Sequence, residues 1–528
     1  MINLIQIFTK HKKVLYFFTI FIFSTSFNQF YGNLGVCPID SFWFFNAGYD
    51  ALNGYYPFKD YWTIAGPFIT FTQAILFKIF GVSWFSYVLH ASLFNFLISI
   101  STFYTLNKLK LNINYSFFYA ILVAVVAYPS AGTPYVDHHA SILSVLSIFI
   151  FILAINTKSK FYWFFLPIVL FVSFLTKQAP TGHIFLIISF LSIVYFVFNF
   201  NIIKIFYSIL GSIFIILLFI LILSITSISF TAFIDQYINF PLSIGKMRFE
   251  LFLFPLEFTR IFLRFKIIHL SYLILILVTI KCLKKDFKYL KSNEFLITLS
   301  IILTSYALIA HQLMTINGMF IYFIIPILAG FSHIYYEKHY IYKKNILNLI
   351  LLFTFFSTVY YGYKYVHKRD FMDLRNANMS KTVDANIFSN QLNGLKWISC
   401  LNQKNPKNEI SQLLEIINII KKDKRVKSII TDYQFISVIL SSYDYSSSQV
   451  WFINHVVNHE KENYFFKLYK DFFINNIKNN KIEVAYVIKP LWGGNNVFEN
   501  GLNKNCYKKE KVTEIADLYI LTGCEDLN

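Results

Sequence analysis

Repeated apolar segments, each about 17–25 residues long, constrain the fold of this chain more than any other feature. A helix needs about 20 apolar residues to cross the hydrocarbon core of a bilayer, and segments of that length recur up to about residue 362. Of the 528 residues, 56% are hydrophobic and 14% are charged. Because a soluble protein carries roughly a quarter charged residues, the sequence predicts a polytopic α-helical membrane protein.

The basic residues at the ends of these segments predict about eleven transmembrane helices, with the N-terminus in the cytoplasm and the C-terminus outside. The turns 158–160, 281–291 and 337–344 are basic and fall on the cytoplasmic side. The net charge of +19 therefore indicates membrane topology, and no nucleic-acid partner is expected. The predicted spans lie near 14–30, 84–106, 113–129, 140–157, 161–176, 181–201, 205–229, 267–283, 295–311, 319–335 and 345–362.

The first outer loop, residues 31–83, places acidic side chains among aromatic ones. It belongs to a predicted transmembrane domain over residues 1–364. Residues 41–53 predict an amphipathic aromatic helix that lies in the membrane interface and ends at Gly54. Residues 66–80 predict a short, partly embedded helix that does not cross. The loop is thus expected at the outer membrane surface.

Two acids in this loop are candidate catalytic residues. Asp40 precedes the predicted interfacial helix, where a carboxylate serves either as a helix N-cap or as a general base whose proton affinity is raised by apolar surroundings. Asp60 lies beside Lys59 in a Pro-containing loop. It is either a turn residue or a second acid that orients a hydroxyl or helps to bind a divalent cation. Tyr56 of the same loop is a candidate for substrate binding.

Two pairs of polar residues lie at outer ends of predicted spans. Asp137 and His138 are candidates for substrate hydrogen bonding and, more weakly, for metal binding, because adjacent residues of a regular helix do not all point at one ion. His311 and Gln312 are candidates for substrate binding, and the alternative is a capped helix end. No confident metal site follows from these patterns.

Basic residues on the predicted outer side do not fit the positive-inside rule and so suggest an anionic ligand. Lys177 interrupts an apolar stretch, and Lys246, Arg248 and Arg260 lie in a longer outer loop. Together these four residues are predicted to bind a phosphate group; the alternative for the arginines is contact with anionic lipid headgroups. Gln178, next to Lys177, is a further candidate for substrate binding.

The composition changes near residue 365, and residues 365–528 predict an extracytoplasmic α/β domain in which helix and strand patterns alternate. No phosphate-binding glycine loop is present, so the favoured role is support and docking. Cys506 and Cys524 flank an apparent hairpin and are predicted to form a disulfide in an oxidising compartment. The alternative is a reduced, unpaired state, because sequence does not fix cysteine pairing.

The first part of the chain, residues 1–110, resembles the GT-C superfamily of integral-membrane glycosyltransferases, which includes bacterial aminoarabinose transferases and protein O-mannosyltransferases. The resemblance rests on a first helix from the cytoplasm, an early Asp in the outer loop, the stretch GYYPFKDYW followed by GP, and the closing LFKIFG. It implies that the family's first-loop catalytic acid corresponds to Asp40. The family's usual acidic pair, Asp followed directly by Glu, reads Asp40-Ser41 here, and Asp60 is a candidate substitute.

The resemblance implies inverting transfer of a sugar from a polyprenyl-phosphate donor to a lipid, glycan or protein acceptor. The reaction would take place on the outer face of the bacterial inner membrane, with Asp40 as general base. The cofactor stays unassigned, with a divalent cation as one candidate. The alternative function is a polytopic transporter or a lipid or glycan flippase, a class that often shows inverted repeats and broken helices.

Overall fold

The computed structural model describes residues 12–248, 257–315, 317–340, 344–449, 464–491 and 497–524. The chain is 70% helical, with a few small sheets. It divides into two compact units that do not follow chain order. The first unit contains Met1–Gly32, Val88–Ile220 and Met247–Phe371, and the second contains Asn33–Tyr87, Leu221–Lys246 and Met372–Asn528.

Apolar helices make up most of the first unit and coincide with the predicted spans. Seven helices of the described residues are long and apolar enough to cross a membrane. These seven are Trp84–Lys108, Val136–Asn156, Gln178–Phe198, Ile202–Thr226, Lys266–Lys285, Asn293–Met314 and Asn345–Met372. They indicate a membrane-embedded helical protein, while the number of crossings and their orientation stay predictions. Shorter or less apolar helices at predicted spans are Lys12–Gly32, Ile113–Val126, Phe161–Phe174 and Ile324–His339.

Helix Val136–Asn156 forms the centre of the first unit. Its most apolar stretch is 94% buried, against 28% for Ile202–Thr226. It packs against Phe161–Phe174, Gln178–Phe198 and Asn293–Met314. An apolar helix that is buried all round is held by neighbouring helices, and one with exposed apolar faces is suited to contact lipid. The central helix therefore fixes the position of whatever polar residues it carries at its ends.

Within its described residues, the second unit contains two small sheets built from seven strands. The strands are β1 (Leu34–Val36), β2 (Val383–Asp384), β3 (Lys396–Ser399), β4 (Lys427–Thr431), β5 (Val484–Ile488), β6 (Tyr507–Lys511) and β7 (Ala516–Leu521). In the first sheet, β1 runs parallel to β3 and β2 runs antiparallel to β3. In the second sheet, of order β4-β5-β7-β6, only β4 and β5 are parallel. A disulfide joins Cys506 and Cys524, which flank β6 and β7.

Helices connect and cover these strands. Helix Pro406–Lys422 links β3 to β4 and buries Ile410, Leu413, Ile416 and Ile420, at the spacing expected of an amphipathic helix. Helix Tyr464–Asn479 precedes β5. The remaining helices of this unit, apart from single 3₁₀ and π turns, are Pro38–Ser41, Trp43–Leu52, Pro67–Phe80, Phe230–Phe233, Phe240–Arg248, Phe435–Ile439 and Val497–Gly501.

The prediction of an interfacial helix over residues 41–53 is wrong in one respect, the exposure of the helix to the membrane. The helix exists as Trp43–Leu52, but eight of its ten residues are buried, on all of its faces. It packs against Pro67–Phe80, and the contact is so close that a Cβ atom at Gly48 would lie 2.5 Å from Cγ of Gln73. A helix enclosed in this way is part of the core of its unit, so its aromatic residues pack against protein.

Candidate functional site

Asp40 lies in the short helix Pro38–Ser41, which follows β1 directly. Cys37 occupies the N-cap position of this helix, and its carbonyl accepts the backbone N–H of Asp40 at 3.0 Å. The N-cap role considered for Asp40 was that of the aromatic helix, and it is wrong, because this helix is Trp43–Leu52 and Phe42 occupies its N-cap. Asp40 is half-buried.

The backbone around Asp40 is fixed from two directions. Cys37 forms a disulfide with Cys400, which is 363 residues further along the chain. The strands that precede the two cysteines, β1 and β3, pair in parallel. The Cys37 N–H also donates to Oγ of Ser41 at 2.9 Å. A half-buried acid on a turn that is held in this way is suited to proton transfer, because a general base must lie within hydrogen-bonding distance of the proton that it removes.

A buried hydrogen-bond chain ties helix Trp43–Leu52 to the C-terminal part of the second unit. Nδ2 of Asn46 donates to Oε1 of Gln449 at 2.7 Å, and Nε2 of Gln449 donates to a carboxyl oxygen of Asp50. Oγ of Ser437 donates to Oδ1 of Asn46. All four side chains are buried. Buried polar groups need such partners, so this chain fixes one arrangement of the helix.

Asp50 of the second unit feels the charges of two other acids of that unit, Asp60 and Asp444. Burial, and then the negative charges of Asp444 and Asp60, raise the pKa of Asp50 well above its ordinary value. Burial raises the pKa of Asp444 to about 7, although the Ser446 N–H donates to it at 3.1 Å. A carboxyl group in low dielectric favours its neutral form. The sequence analysis missed Asp50 and Asp444, whose only signal was an acid inside an aromatic segment.

Asp60 closes the loop that contains it. Its Oδ2 accepts the backbone N–H of Tyr56 at 2.6 Å, and its backbone carbonyl accepts Tyr443 Oη at 3.1 Å and Asn476 Nδ2 at 3.2 Å. Burial raises the pKa of Asp60, while the Tyr56 hydrogen bond and the charge of Lys59 oppose the rise. These contacts are those of a turn residue. The Tyr56 ring is half-buried and lies 5.9 Å from Nζ of Lys59.

In the first unit, Asp137, Lys177 and His311 form a buried cluster at helix ends. Nζ of Lys177 lies 2.8 Å from each Asp137 carboxyl oxygen, and Nε2 of His311 lies 2.6 Å from Oδ1. The Asp137 and His311 side chains are 2% and 1% exposed, and Lys177 is 24% exposed. Ionisable groups at such depth are costly and must be paired. Asp137 and His311 come from two helices, and Lys177 is the N-cap residue of a third, Gln178–Phe198, so the cluster joins three helix ends.

The other polar candidates of this unit have partners of their own. Nε2 of His138 lies 2.8 Å from Oγ of Ser130, and Oε1 of Gln312 accepts the Phe320 N–H at 3.3 Å. Gln178 is half-buried and begins the helix that follows Lys177. Asp137, Lys177 and His311 are therefore brought into direct contact, whereas His138 and Gln312 bond elsewhere.

The predicted phosphate-binding residues differ in how they are placed. Lys177 forms an ion pair with Asp137. Arg260 is half-buried in the π-helical turn Thr259–Leu263. The backbone of Lys246 and Arg248 belongs to helix Phe240–Arg248, but their side chains lie outside the described residues. A joint phosphate site formed by the four residues stays a prediction.

Arg369 is a buried residue that the sequence analysis did not single out. It is 0% exposed, and its guanidinium donates to the backbone carbonyls of Pro129, Ser130 and Ala131 at 2.9–3.1 Å. Ser130 in turn contacts His138. Arg369 therefore positions the turn before the central helix. In the sequence it follows an apolar segment beside Lys368 and so resembles an ordinary flanking charge.

The weak metal candidates do not fit a cation. The carboxyl oxygens of Asp137 face an ammonium group and an imidazole, and Asp60 accepts a backbone N–H. Among the residues that the structure describes, no group of three or more His, Cys, Asp or Glu side chains could hold a metal ion. A cation is coordinated by several such ligands, so no chemical step is assigned to a metal here.

Comparisons with known proteins add no family to these observations. No family model matches the chain, and no curated protein is significantly similar to it.

Proposed function

We propose that the chain is a membrane-embedded glycosyltransferase that moves a sugar from a polyprenyl-phosphate donor to an acceptor on the outer face of the bacterial inner membrane. The observation that carries the proposal is Asp40. It is a half-exposed acid on a turn held by a disulfide and by a parallel strand pair, directly after the first apolar helix. An enzyme that uses a lipid-linked donor must be embedded in the membrane, and the apolar helices of this chain fit that requirement.

The reaction is a single displacement at the anomeric carbon. The acceptor oxygen forms a bond to that carbon as the bond to the phosphate oxygen breaks, which inverts the configuration. Asp40 takes the acceptor proton, and the electron pair of the broken bond leaves with the polyprenyl phosphate. The charge that develops on that leaving group requires a cationic partner.

The test measures transfer of radiolabel from a polyprenyl-phosphate sugar pool into membrane products, with wild type and Asp40→Asn at matched protein levels. General-base catalysis contributes about 10²–10⁴-fold, so we expect a loss of that size. Asp384→Asn is the matched control, because Asp384 is an exposed acid of the same unit that pairs with Lys396 at the surface. Unchanged transfer by Asp40→Asn would show that Asp40 is not the base.

A transporter or flippase is the second candidate, and the Asp137–Lys177–His311 cluster favours it. Buried ionisable clusters in membrane helices are a common feature of transport pathways. Reconstituted protein distinguishes the two functions: a flippase moves labelled lipid-linked sugar across a vesicle bilayer without forming a new glycosidic bond. Transfer to an acceptor, lost in Asp40→Asn, supports the glycosyltransferase instead.

A further inference from the structure

The carboxyl ends of four strands meet at one pocket of the second unit. Cys37 directly follows β1, Cys400 follows β3 and Asp432 follows β4, while Pro490 lies two residues after β5. The pocket has a volume of about 150 Å³. Among the described residues it is lined by Cys37, Pro38, Ile39, Cys400, Leu401, Asp432, Pro490 and Leu491.

This location is the one in which α/β proteins bind ligands. Strands β1 and β3 are parallel, and so are β4 and β5, which means that both pairs end on the pocket side. In open α/β sheets, ligands bind in the crevice outside the carboxyl ends of parallel strands. The pocket is thus a site by its topology, and it lies in a domain for which the sequence suggested only support and docking.

The lining residues define the kind of ligand. Leu401, Pro490 and Leu491 give apolar walls, and Asp432 is the acidic residue among them. Its side chain is largely buried, at 6% exposure. No basic residue is among the described lining residues. Such a pocket suits a neutral or cationic group that donates hydrogen bonds, and it disfavours a phosphate.

The volume limits the size of the ligand. An apolar cavity of about 150 Å³ accommodates one benzene molecule, so the pocket encloses about one unsubstituted six-membered ring, and some hydroxyl groups of a sugar ring lie outside that volume. A ring with an apolar C–H face and hydroxyl groups at its edge matches both kinds of lining residue. Aliphatic side chains pack against the C–H face, and a carboxylate accepts hydroxyl hydrogen bonds.

We propose that this pocket binds the hydroxylated six-membered ring of a single monosaccharide. Asp432 accepts hydrogen bonds from its hydroxyl groups, and Leu401 and Pro490 pack against its C–H face. Ile39 lines the pocket, and Asp40 is the next residue. We assign the ring as the acceptor unit, a role that rests on the proposed function, whereas the binding itself does not.

The experiment titrates the detergent-solubilised full chain with glucose, galactose, mannose and N-acetylglucosamine by ligand-observed NMR, in a detergent without a sugar headgroup. Glucose 6-phosphate is the charged comparison. We expect at least one neutral sugar to bind with a Kd of about 1 mM, the affinity of a small polar ligand with few contacts. Glucose 6-phosphate binds more weakly, because the pocket offers an acid and no base.

Two variants test the location. Leu401→Trp fills the pocket and should abolish binding, and Asp432→Asn removes a charged acceptor and should weaken binding about ten-fold. Ile387→Trp and Asp384→Asn are matched controls at exposed positions of the same unit and should bind like wild type. Leu491→Trp is a second filling variant for use if Leu401→Trp lowers the thermal midpoint.

The outcomes separate the pocket from the proposed function. If Asp40→Asn binds sugar normally but loses transfer, both hold; if it also keeps transfer, the pocket stands and Asp40 as base fails. No binding by any neutral sugar would overturn the inference. So would equal binding by wild type, Asp432→Asn and a folded pocket-filling variant.

Discussion

Replacing Asp444 by Asn should stabilise the protein above pH 7. Burial raises the pKa of this carboxyl group from 3.8 to about 7, and each pH unit of such a difference corresponds to about 1.4 kcal/mol. At pH 8 the wild-type protein therefore holds an ionised Asp444 at a cost of up to about 4 kcal/mol. Asn keeps an acceptor for the Ser446 N–H and carries no charge.

The sign of the pH dependence follows from proton binding. Between pH 4 and pH 7 the folded protein holds the Asp444 proton and the unfolded chain has lost it, so the stability falls as the pH rises. Below about pH 4, Asp444 is protonated in both the folded and the unfolded state. The charge of this group then makes no difference between the stabilities of wild type and Asp444→Asn. Asp50 adds a change in the same direction, because its pKa is also raised, so some pH dependence remains in the variant.

The assay is the thermal midpoint of the detergent-solubilised full chain, followed by tryptophan fluorescence from pH 5 to pH 8. Trp43, Trp62, Trp84 and Trp397 are buried residues of the second unit and report on its unfolding. The midpoint of wild type should fall as the pH rises, and that of Asp444→Asn should fall less and be the higher of the two at pH 8.

Asp423→Asn is a control of opposite sign. Partial burial raises the pKa of Asp423, but hydrogen bonds from Arg425 and Tyr486 outweigh it and hold the pKa well below its ordinary value. Asp423 is thus stabilising when ionised, and Asn should lower the midpoint at pH 7. A wild-type midpoint that is constant or rises from pH 5 to pH 8, or an Asp444→Asn midpoint below wild type at pH 8, would refute the reasoning.

Two further predictions concern the first unit, both measured as thermal midpoints of the solubilised chain. Arg369→Met removes the donors of three buried carbonyl hydrogen bonds and should lower the free energy of unfolding by about 3 kcal/mol or more. Lys368→Met is the matched control and should lower it little. Equal effects of the two variants would contradict the positioning role of Arg369. Asp137→Asn and Lys177→Met should each lower the free energy of unfolding by about 3 kcal/mol, because each removes one partner of the Asp137–Lys177 ion pair. The double variant should lose clearly less than the sum of the two single losses. Additive losses would show that the pair is not coupled.

The apolar helices are the part of the fold that the sequence predicts best. Length and apolarity decide whether a segment can cross a bilayer, and both are local properties. The predicted segment 140–157 corresponds to helix Val136–Asn156, and 84–106 corresponds to Trp84–Lys108. The interfacial helix shows the limit of the method. The pattern of residues 41–53 describes an aromatic helix, but only tertiary contacts decide whether protein or lipid covers it.

The candidate site was harder to predict because its partners are distant in sequence. Asp137 and His311 are 174 residues apart, and Cys37 and Cys400 are 363 apart. Arg369 carries no local signal that separates it from a flanking basic residue. Asp432 follows β4, but the role of this residue depends on which other strand ends lie beside it, and only the sheet topology shows that.

Four acids of the chain have two kinds of surroundings. The carboxyl oxygens of Asp137 and Asp60 accept hydrogen bonds from groups of their own units. These contacts give both acids a structural role, because Asp137 connects helix ends and Asp60 closes a loop. Asp40 and Asp432 instead follow the carboxyl ends of parallel strands, at or next to a pocket. Reactive and ligand-binding groups are commonly placed at such ends because rigid strands position them. If the chain transfers a sugar, the second group is therefore where the loss of one carboxylate should affect chemistry more than stability.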